Sequence, residues 1–356
     1  MNTHPSLRDR DAIISRENII FRVYGYMHPP DGYICDPEYA PENIYKSMQT
    51  RALRESPDRR RVYYKFYSDE GLQFIRQNYP KYTIHYPPLE TRLVGVEQED
   101  IEEARDPQRK FQQLVQNPPK DALIEEMQTL YGSLKARATL AISDFGVFGS
   151  LLHGFYHPQY SDLDFTVYGR KQLETLQQLL EQAYKERGSK LKNEFSTEDA
   201  VKGKTWHFKN YTPKEYVWHQ KRKLIYALFK GKARTIKTEF EPIKRWEEIH
   251  DEYDPKQRIK KMGWMKAKAR ITDDNDAPFM PSIYEMEPLQ GVKVEGVRRI
   301  LSYVEEFRMQ AKKDEIVMVE GNLERVTVAG DSFYQITLTH GPRYYEQVLK
   351  VAKPES

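Results

Sequence analysis

Between Glu17 and Met27 the apolar residues Ile19, Phe21 and Val23 fall on every second position. A period of two predicts a strand with one buried face. RRVYYKFY (60–67) and YTIHYPPL (82–89) read as further strands, and GLQFIRQNYP as a short helix stopped at Pro80. Residues 97–120 read as helix interrupted by Pro107, and Asn117-Pro118-Pro119 marks a boundary. Beyond it the period changes. DALIEEMQTLYGSLKARA predicts an amphipathic helix, ISDFGVFGS a strand and turn, and DLDFTVYG a strand. In KQLETLQQLLEQAYKERG one stripe carries Leu173, Leu176, Leu179, Leu180 and Ala183, and Gly188 stands where a helix ends. Residues 189–210 are polar and loop-like. Thr212, Pro213 and Glu215 then form a capping box opening a helix expected to reach Phe229. ARTIKTEFEPI reads as a strand.

From 263 onward KAKARIT, PSIYEME, EIVMVEGNLERVTV and FYQITLT alternate as strands between turn residues, with a terminal helix expected around YYEQVLKVA. The pattern thus predicts a β-rich N-terminal domain (1–118), a mixed α/β domain (119–262) and a small β domain (263–356).

Composition narrows the class. The chain has 356 residues, 31% of them charged, with a formal net charge of +3 and a mean hydropathy of −0.80. No apolar run approaches the ~20 residues of a spanning helix. MNTHPSLRDRDA lacks the apolar core of a secretory leader. A single cysteine, Cys35, excludes an intrachain disulfide and argues against a Cys-based zinc site. A cytoplasmic location is the expectation. The pI near 8.5 falls short of the ~9 that flags a dedicated nucleic-acid binder.

The candidate chemistry lies in FGVFGSLLHGFYHPQYSDLDFTVYG (145–169). Read as a strand, DLDFTVY buries Leu163, Phe165 and Val167 on one face and turns Asp162, Asp164, Thr166 and Tyr168 to the other. Two like charges two residues apart are unfavourable alone. They suit a hard divalent cation such as Mg²⁺, or Mn²⁺, which takes oxygen ligands. Gly149 lets backbone approach a ligand closely, and the Ser150 hydroxyl with the first amides of a following helix suits an anion. Phosphates held at that turn would lie above the two aspartates.

Phe148-Gly149-Ser150, eleven residues, then Asp162-Leu163-Asp164-Phe165 resembles the signature of the DNA polymerase β-type nucleotidyltransferase superfamily. The longer run looks like predicted archaeal nucleotidyltransferases of unassigned substrate. The resemblance implies an α/β (α+β) nucleotidyltransferase core, with a mixed sheet and flanking helices, between two β-rich domains. It implies that Asp162 and Asp164 bind metal, that Gly149 and Ser150 hold a nucleoside triphosphate, and that a third carboxylate sits on a neighbouring strand. TEFEPI is similar to the matching segment of archaeal CCA-adding enzymes, which registers Glu239 with the catalytic acid. Here Glu replaces the usual Asp, and Glu241 on the same face competes for the role. Lys221 and Arg222 are candidate contacts to the triphosphate or to an acceptor backbone. The implied reaction moves a nucleoside monophosphate to a hydroxyl, with RNA or another macromolecule as acceptor.

Two readings compete. A degenerate domain would keep the fold and bind nucleotide or nucleic acid without transfer. A haloacid dehalogenase-type phosphatase fits Asp-x-Asp-x-Thr, but it needs the apolar strand before the aspartates, and here that strand follows them. His153 and His157 read as polar surface residues.

Overall fold

The computed structural model describes residues 6–55, 61–202, 207–250 and 253–352. The fold is mixed α and β, with three sheets and few helices. The chain forms two compact units: Met1–Tyr86 with Thr91–Leu191 and Leu228–Tyr253, and Pro87–Glu90 with Lys192–Ala227 and Asp254–Ser356.

In the first unit eight strands form one sheet. They are β1 (Ala12–Ser15), β2 (Ile20–Val23), β3 (Gly32–Pro41), β4 (Leu53–Glu55), β5 (Val62–Lys65), β6 (Thr83–Tyr86), β7 (Thr91–Glu97) and β8 (Ile101–Arg105). Their order is β4-β5-β3-β2-β1-β8, with β7 joining β3 and β6. Helix α1 (Glu70–Asn78) contributes the buried Ile75. Ile13, Ile19, Phe21 and Val23 are fully buried, but so is Ile20, which packs in a second cluster with Ala12 and Ile14, so this segment buries both faces and not the single face the two-residue period predicts.

Strand β8 corrects the expected helix over 97–120. Ile101–Arg105 pairs with β1, and the helix begins only at α2 (Pro107–Gln116). Asp106 is the reason. Its Oδ1 accepts from the Gln108 amide at 2.7 Å, so Pro107 opens the helix rather than interrupting it.

A second sheet follows. Helix α3 (Ala122–Arg137), β9 (Phe145–Val147), α4 (Gly149–His153), β10 (Leu163–Tyr168) and α5 (Arg170–Lys185) come in sequence. Then come β11 (Leu191–Asn193), α6 (Pro213–Lys221), β12 (Tyr226–Lys230) and β13 (Thr235–Ile243). The sheet order is β11-β12-β13-β10-β9, and β11 and β12 carry the chain out of and back into the first unit. Strand β10 runs parallel to β13 and antiparallel to β9. Phe165 stacks on Phe240 at 5.2 Å, and Phe111 packs edge-on to both Tyr131 and Phe165. Each such buried ring contributes ~1.5–3 kcal/mol. The α5 stripe Leu173, Leu176, Leu179, Leu180 and Ala183 is buried as read, while the helix ends at Glu186, before Gly188.

The helix opened by Thr212 stops at Lys221 instead of running to Phe229. Leu224 has φ +55°, which a helix does not tolerate, and Tyr226–Lys230 is a strand drawn into the sheet. Residues 189–210 carry short strand β11 and two 3₁₀ turns where loop was expected.

The second unit is built on a third sheet: β14 (Arg258–Asp273), β15 (Ser282–Gln290), β16 (Val297–Ser302), β17 (Ile316–Val328), β18 (Asp331–Leu338) and β19 (Val348–Val351). Strand β14 pairs with β15 and also with β17, so the path β14-β15-β16-β18-β17 closes on itself. Strand β16 was not foreseen. The expected terminal helix is a 3₁₀ turn at Tyr344–Glu346 followed by β19, because Val348–Val351 finds a strand partner in β17. Among the described residues no helix is long and apolar enough to cross a membrane.

Candidate active site

Two strand pairings bring the predicted residues together. In the parallel pair, Asp164 stands opposite Glu239 and Thr166 opposite Glu241. On the other edge Val147 pairs with Phe165, and the Phe148 amide donates to the Asp164 carbonyl at 3.1 Å. That bond sets Gly149 directly beside Asp164. Gly149 has φ +56°, and a Cβ there would lie 3.1 Å from Asp164 Oδ2. Glycine is thus required twice, by backbone conformation and by the approach of the carboxylate. Ser150 follows in the first turn of α4, which ends at Gly154 with φ +74°.

The phase of β10 is as read for Leu163, Phe165 and Val167, all fully buried. Asp162 precedes the strand, and Asp164 and Glu239 are partly exposed. Thr166 and Tyr168 are buried. Thr166 fits because Gly146 opposite it has no side chain: a Cβ there would meet Thr166 Oγ1 at 2.4 Å.

The charges are crowded. Burial first, then the like charge of Asp162, raises the Asp164 carboxyl from 3.8 to about 7; Glu241 and Glu38 add to the rise and Lys65 opposes it. Glu241 has a separate role. Its Oε2 lies 2.8 Å from Arg10 Nη2, with both side chains almost wholly buried. Glu239, opposite Asp164, is the less buried of the two acids.

Three residues at this site carried no local signal in the sequence. Glu38 on β3 faces His153, 3.7 Å away. Burial pushes its carboxyl up, but the neighbouring His153, with the charges of Lys65 and Arg10, brings the net value below the usual range. Lys65 on β5 pairs across from Tyr39. His153 is buried and not the surface residue expected: its Nδ1 sits 3.1 Å from Arg105 Nη1 and its ring packs on Tyr39 and Phe155. His157 is exposed and stacks on Tyr160.

Lys221 and Arg222 lie in the second unit. Arg222 is engaged there, by Glu315 and by the Trp218 ring at 4.6 Å. Lys221 is exposed.

Asp162, Asp164 and Glu239 supply the hard oxygen donors that Mg²⁺ prefers. The raised Asp164 carboxyl marks a cluster that a divalent charge would relieve. Among the described residues no three acidic, histidine or cysteine side chains already stand close enough to form a metal-ligand group. The donor chemistry fits a hard cation; a preformed cage is not present.

Comparison with known proteins agrees with this geometry. Residues 120–232 match the family model described as a nucleotidyltransferase domain. That segment, less than half of the chain, is similar to nucleotidyltransferase domains, in agreement with the polymerase β-type resemblance of its sequence. The matched segment includes Gly149, Ser150, Asp162 and Asp164 and stops before β13. Over 356 residues the chain is 23% identical to an uncharacterized protein of Methanocaldococcus jannaschii, covering 98% of this chain and 99% of that one. No solved structure matches.

Proposed function

We propose that the protein moves a nucleoside monophosphate from a nucleoside triphosphate to a hydroxyl acceptor, releasing pyrophosphate. The observation that carries this reading is the register of β10 and β13, which sets Asp164 opposite Glu239 and against the Gly149 turn. Gly149 and Ser150 hold the triphosphate through backbone amides and the hydroxyl. Lys65, close enough to lower the Asp164 carboxyl, supplies positive charge to the phosphates. Asp162, Asp164 and Glu239 would hold Mg²⁺ or Mn²⁺. When bound, such ions lower the pKa of an attacking hydroxyl and neutralise the leaving pyrophosphate. Glu239 and Asp164 orient the acceptor hydroxyl for in-line approach to the α-phosphorus. Macromolecular acceptors, RNA first, fit a chain with this much structure outside the matched segment.

The test incubates the full chain with each α-labelled NTP, Mg²⁺ and total RNA or cell extract. Label should enter one class of acceptor. Asp162→Asn and Asp164→Asn each remove several kcal/mol of charge stabilisation, so transfer should fall by on the order of 10²-fold or more. An Asp164→Asn protein that labels at the wild-type rate refutes the assignment. Nucleotide binding without labelling would select the binding-only reading.

A further inference from the structure

The barrel of the second unit has a definite topology. Strands β14 and β15 are antiparallel, as are β15 and β16. Strands β16 and β18 are parallel. Strands β18 and β17, and β17 and β14, are antiparallel. First-second-third-fifth-fourth, closing on the first, is the strand order of OB-type Greek-key barrels, which commonly bind oligonucleotides. Topology alone assigns no ligand, so the surface must decide.

Strand β14 decides it. Met265, Ala267, Ala269 and Ile271 are buried in the barrel. Trp264, Lys266, Lys268 and Arg270 alternate with them and face outward. Across an irregularity between Lys261 and Gly263, Arg258, Lys260 and Lys261 continue the positive charge. From Arg258 to Arg270 there are six cations and no acid. The outward neighbours on β17 dilute this little: Ile316 stands opposite Arg270, Met318 opposite Lys268 and Asn322 opposite Trp264. Two acids are the exceptions: Glu320, 3.6 Å from Lys266 Nζ, and Glu324, which stands opposite Lys261 but is buried and bonded to Gln335 and Thr337. On β15, Glu287 stands opposite Arg270 without forming an ion pair. Among the described residues Lys260, Lys261, Lys268 and Arg270 make no ion pair at all.

A structural reading would leave this as a solvated edge. Two features argue for more. Like charges lined up on one strand cost stability unless a counter-charge neutralises them. An aromatic platform also sits in the same stripe. The Arg343 guanidinium lies 3.6 Å from the Trp264 ring centroid, while Trp264 Nε1 donates to Glu320 at 2.9 Å. The ring is thereby fixed, and the guanidinium above it offers a stacking surface for a base. Alternate residues along a strand repeat every ~6.6 Å, a spacing suited to successive phosphates of an extended single strand.

We propose that the outward face of β14 binds single-stranded nucleic acid, with its backbone along Lys260, Lys266, Lys268 and Arg270 and a base over the Arg343–Trp264 pair. This site is separate from the transfer site, and the proposal does not rest on transfer. The test is fluorescence anisotropy of labelled single-stranded RNA, single-stranded DNA and duplex DNA of one sequence with the full chain, from 50 to 300 mM KCl (concentrations of about these values suffice to define a salt slope). Single strands should bind more tightly than duplex. Four phosphate contacts give a slope of log K against log salt of about −3. The triple variant Lys260→Gln, Lys268→Gln, Arg270→Gln should lower the magnitude of that slope by about 2 and weaken binding by on the order of tenfold or more, with unchanged circular dichroism and a melting temperature no lower than that of wild type. Asp164→Asn should bind as wild type does, which keeps this result independent of catalysis. Binding to RNA alone, or to RNA and DNA alike, supports the proposal. No binding at low salt, equal or better binding of duplex, or a folded triple variant with wild-type affinity overturns it.

Discussion

Glu241 and Glu239 are two residues apart on one strand, yet their surroundings differ: Glu241 is buried against Arg10, and Glu239 is partly exposed opposite Asp164. Glu241→Ala would remove the carboxylate 2.8 Å from Arg10 Nη2, where both side chains are no more than 3% exposed. Breaking a buried ion pair from one side costs ~3–5 kcal/mol, because the remaining charge stays desolvated. The next acid, Asp9, is 3.9 Å from Arg10 Nε and moderates the penalty, so the expected loss is ~3 kcal/mol. For a unit of this size that lowers the melting temperature by ~6–12 °C. Glu239 is partly exposed, and Glu239→Ala should change stability by no more than ~0.5 kcal/mol while abolishing transfer. The assay is urea denaturation of both variants beside labelling from α-labelled NTP. A double replacement, Arg10→Met with Glu241→Leu, should recover most of the stability, since an apolar pair of similar volume avoids the desolvation cost. The reasoning fails if Glu241→Ala is as stable as wild type, or if the double variant is no better than the single. A stable Glu241→Ala protein without transfer would make Glu241 the third acid.

Two further outcomes are expected. The Asp164 carboxyl is raised to about 7 by burial and by Asp162, so its charged form costs folding up to ~4 kcal/mol above pH 7 and nothing below about pH 4. In chelator at pH 8 Asp164→Asn should therefore melt higher than wild type, Mg²⁺ should raise wild type alone, and a pH-independent gap between the two would contradict this. His219 is buried with Nδ1 on the Glu215 carbonyl at 2.7 Å and Nε2 accepting from the Val351 amide at 3.1 Å; burial lowers it from 6.5 to about 4. Its contribution is complete above pH 6.5 and is lost as pH falls toward 4, ~3 kcal/mol in all, so the protection of the Val351 amide from hydrogen exchange, relative to the unfolded chain at the same pH, should fall over that window, and a His219→Gln protein with the same pH profile would count against it.

Local chemistry was legible in the chain. The two-residue alternation of DLDFTVY showed that Leu163, Phe165 and Val167 share a buried face, because the side-chain period of a strand is a property of the backbone; that Thr166 and Tyr168 on the other face are buried too was not legible in it. The α5 stripe and the Thr212–Glu215 capping box follow from the helical period and from unsatisfied amides, which are equally local. The glycine-serine turn and paired aspartates were recognisable through their resemblance to the nucleotidyltransferase signature. Segments whose partners lie far along the chain read poorly: Tyr226–Lys230 and Val348–Val351 carry enough helix-compatible residues to mislead until a neighbouring strand offers backbone hydrogen bonds.

Only the tertiary structure decided which charges meet. The register of two strands some 75 residues apart put Glu239 rather than Glu241 opposite Asp164, and Arg10, 231 positions before Glu241, took the other acid. Glu38 and Lys65 reached the site from a different sheet. Barrel closure turned the cations of β14 into one stripe. Burial and distance set the worth of a charge, and neither quantity exists until the chain has folded around it.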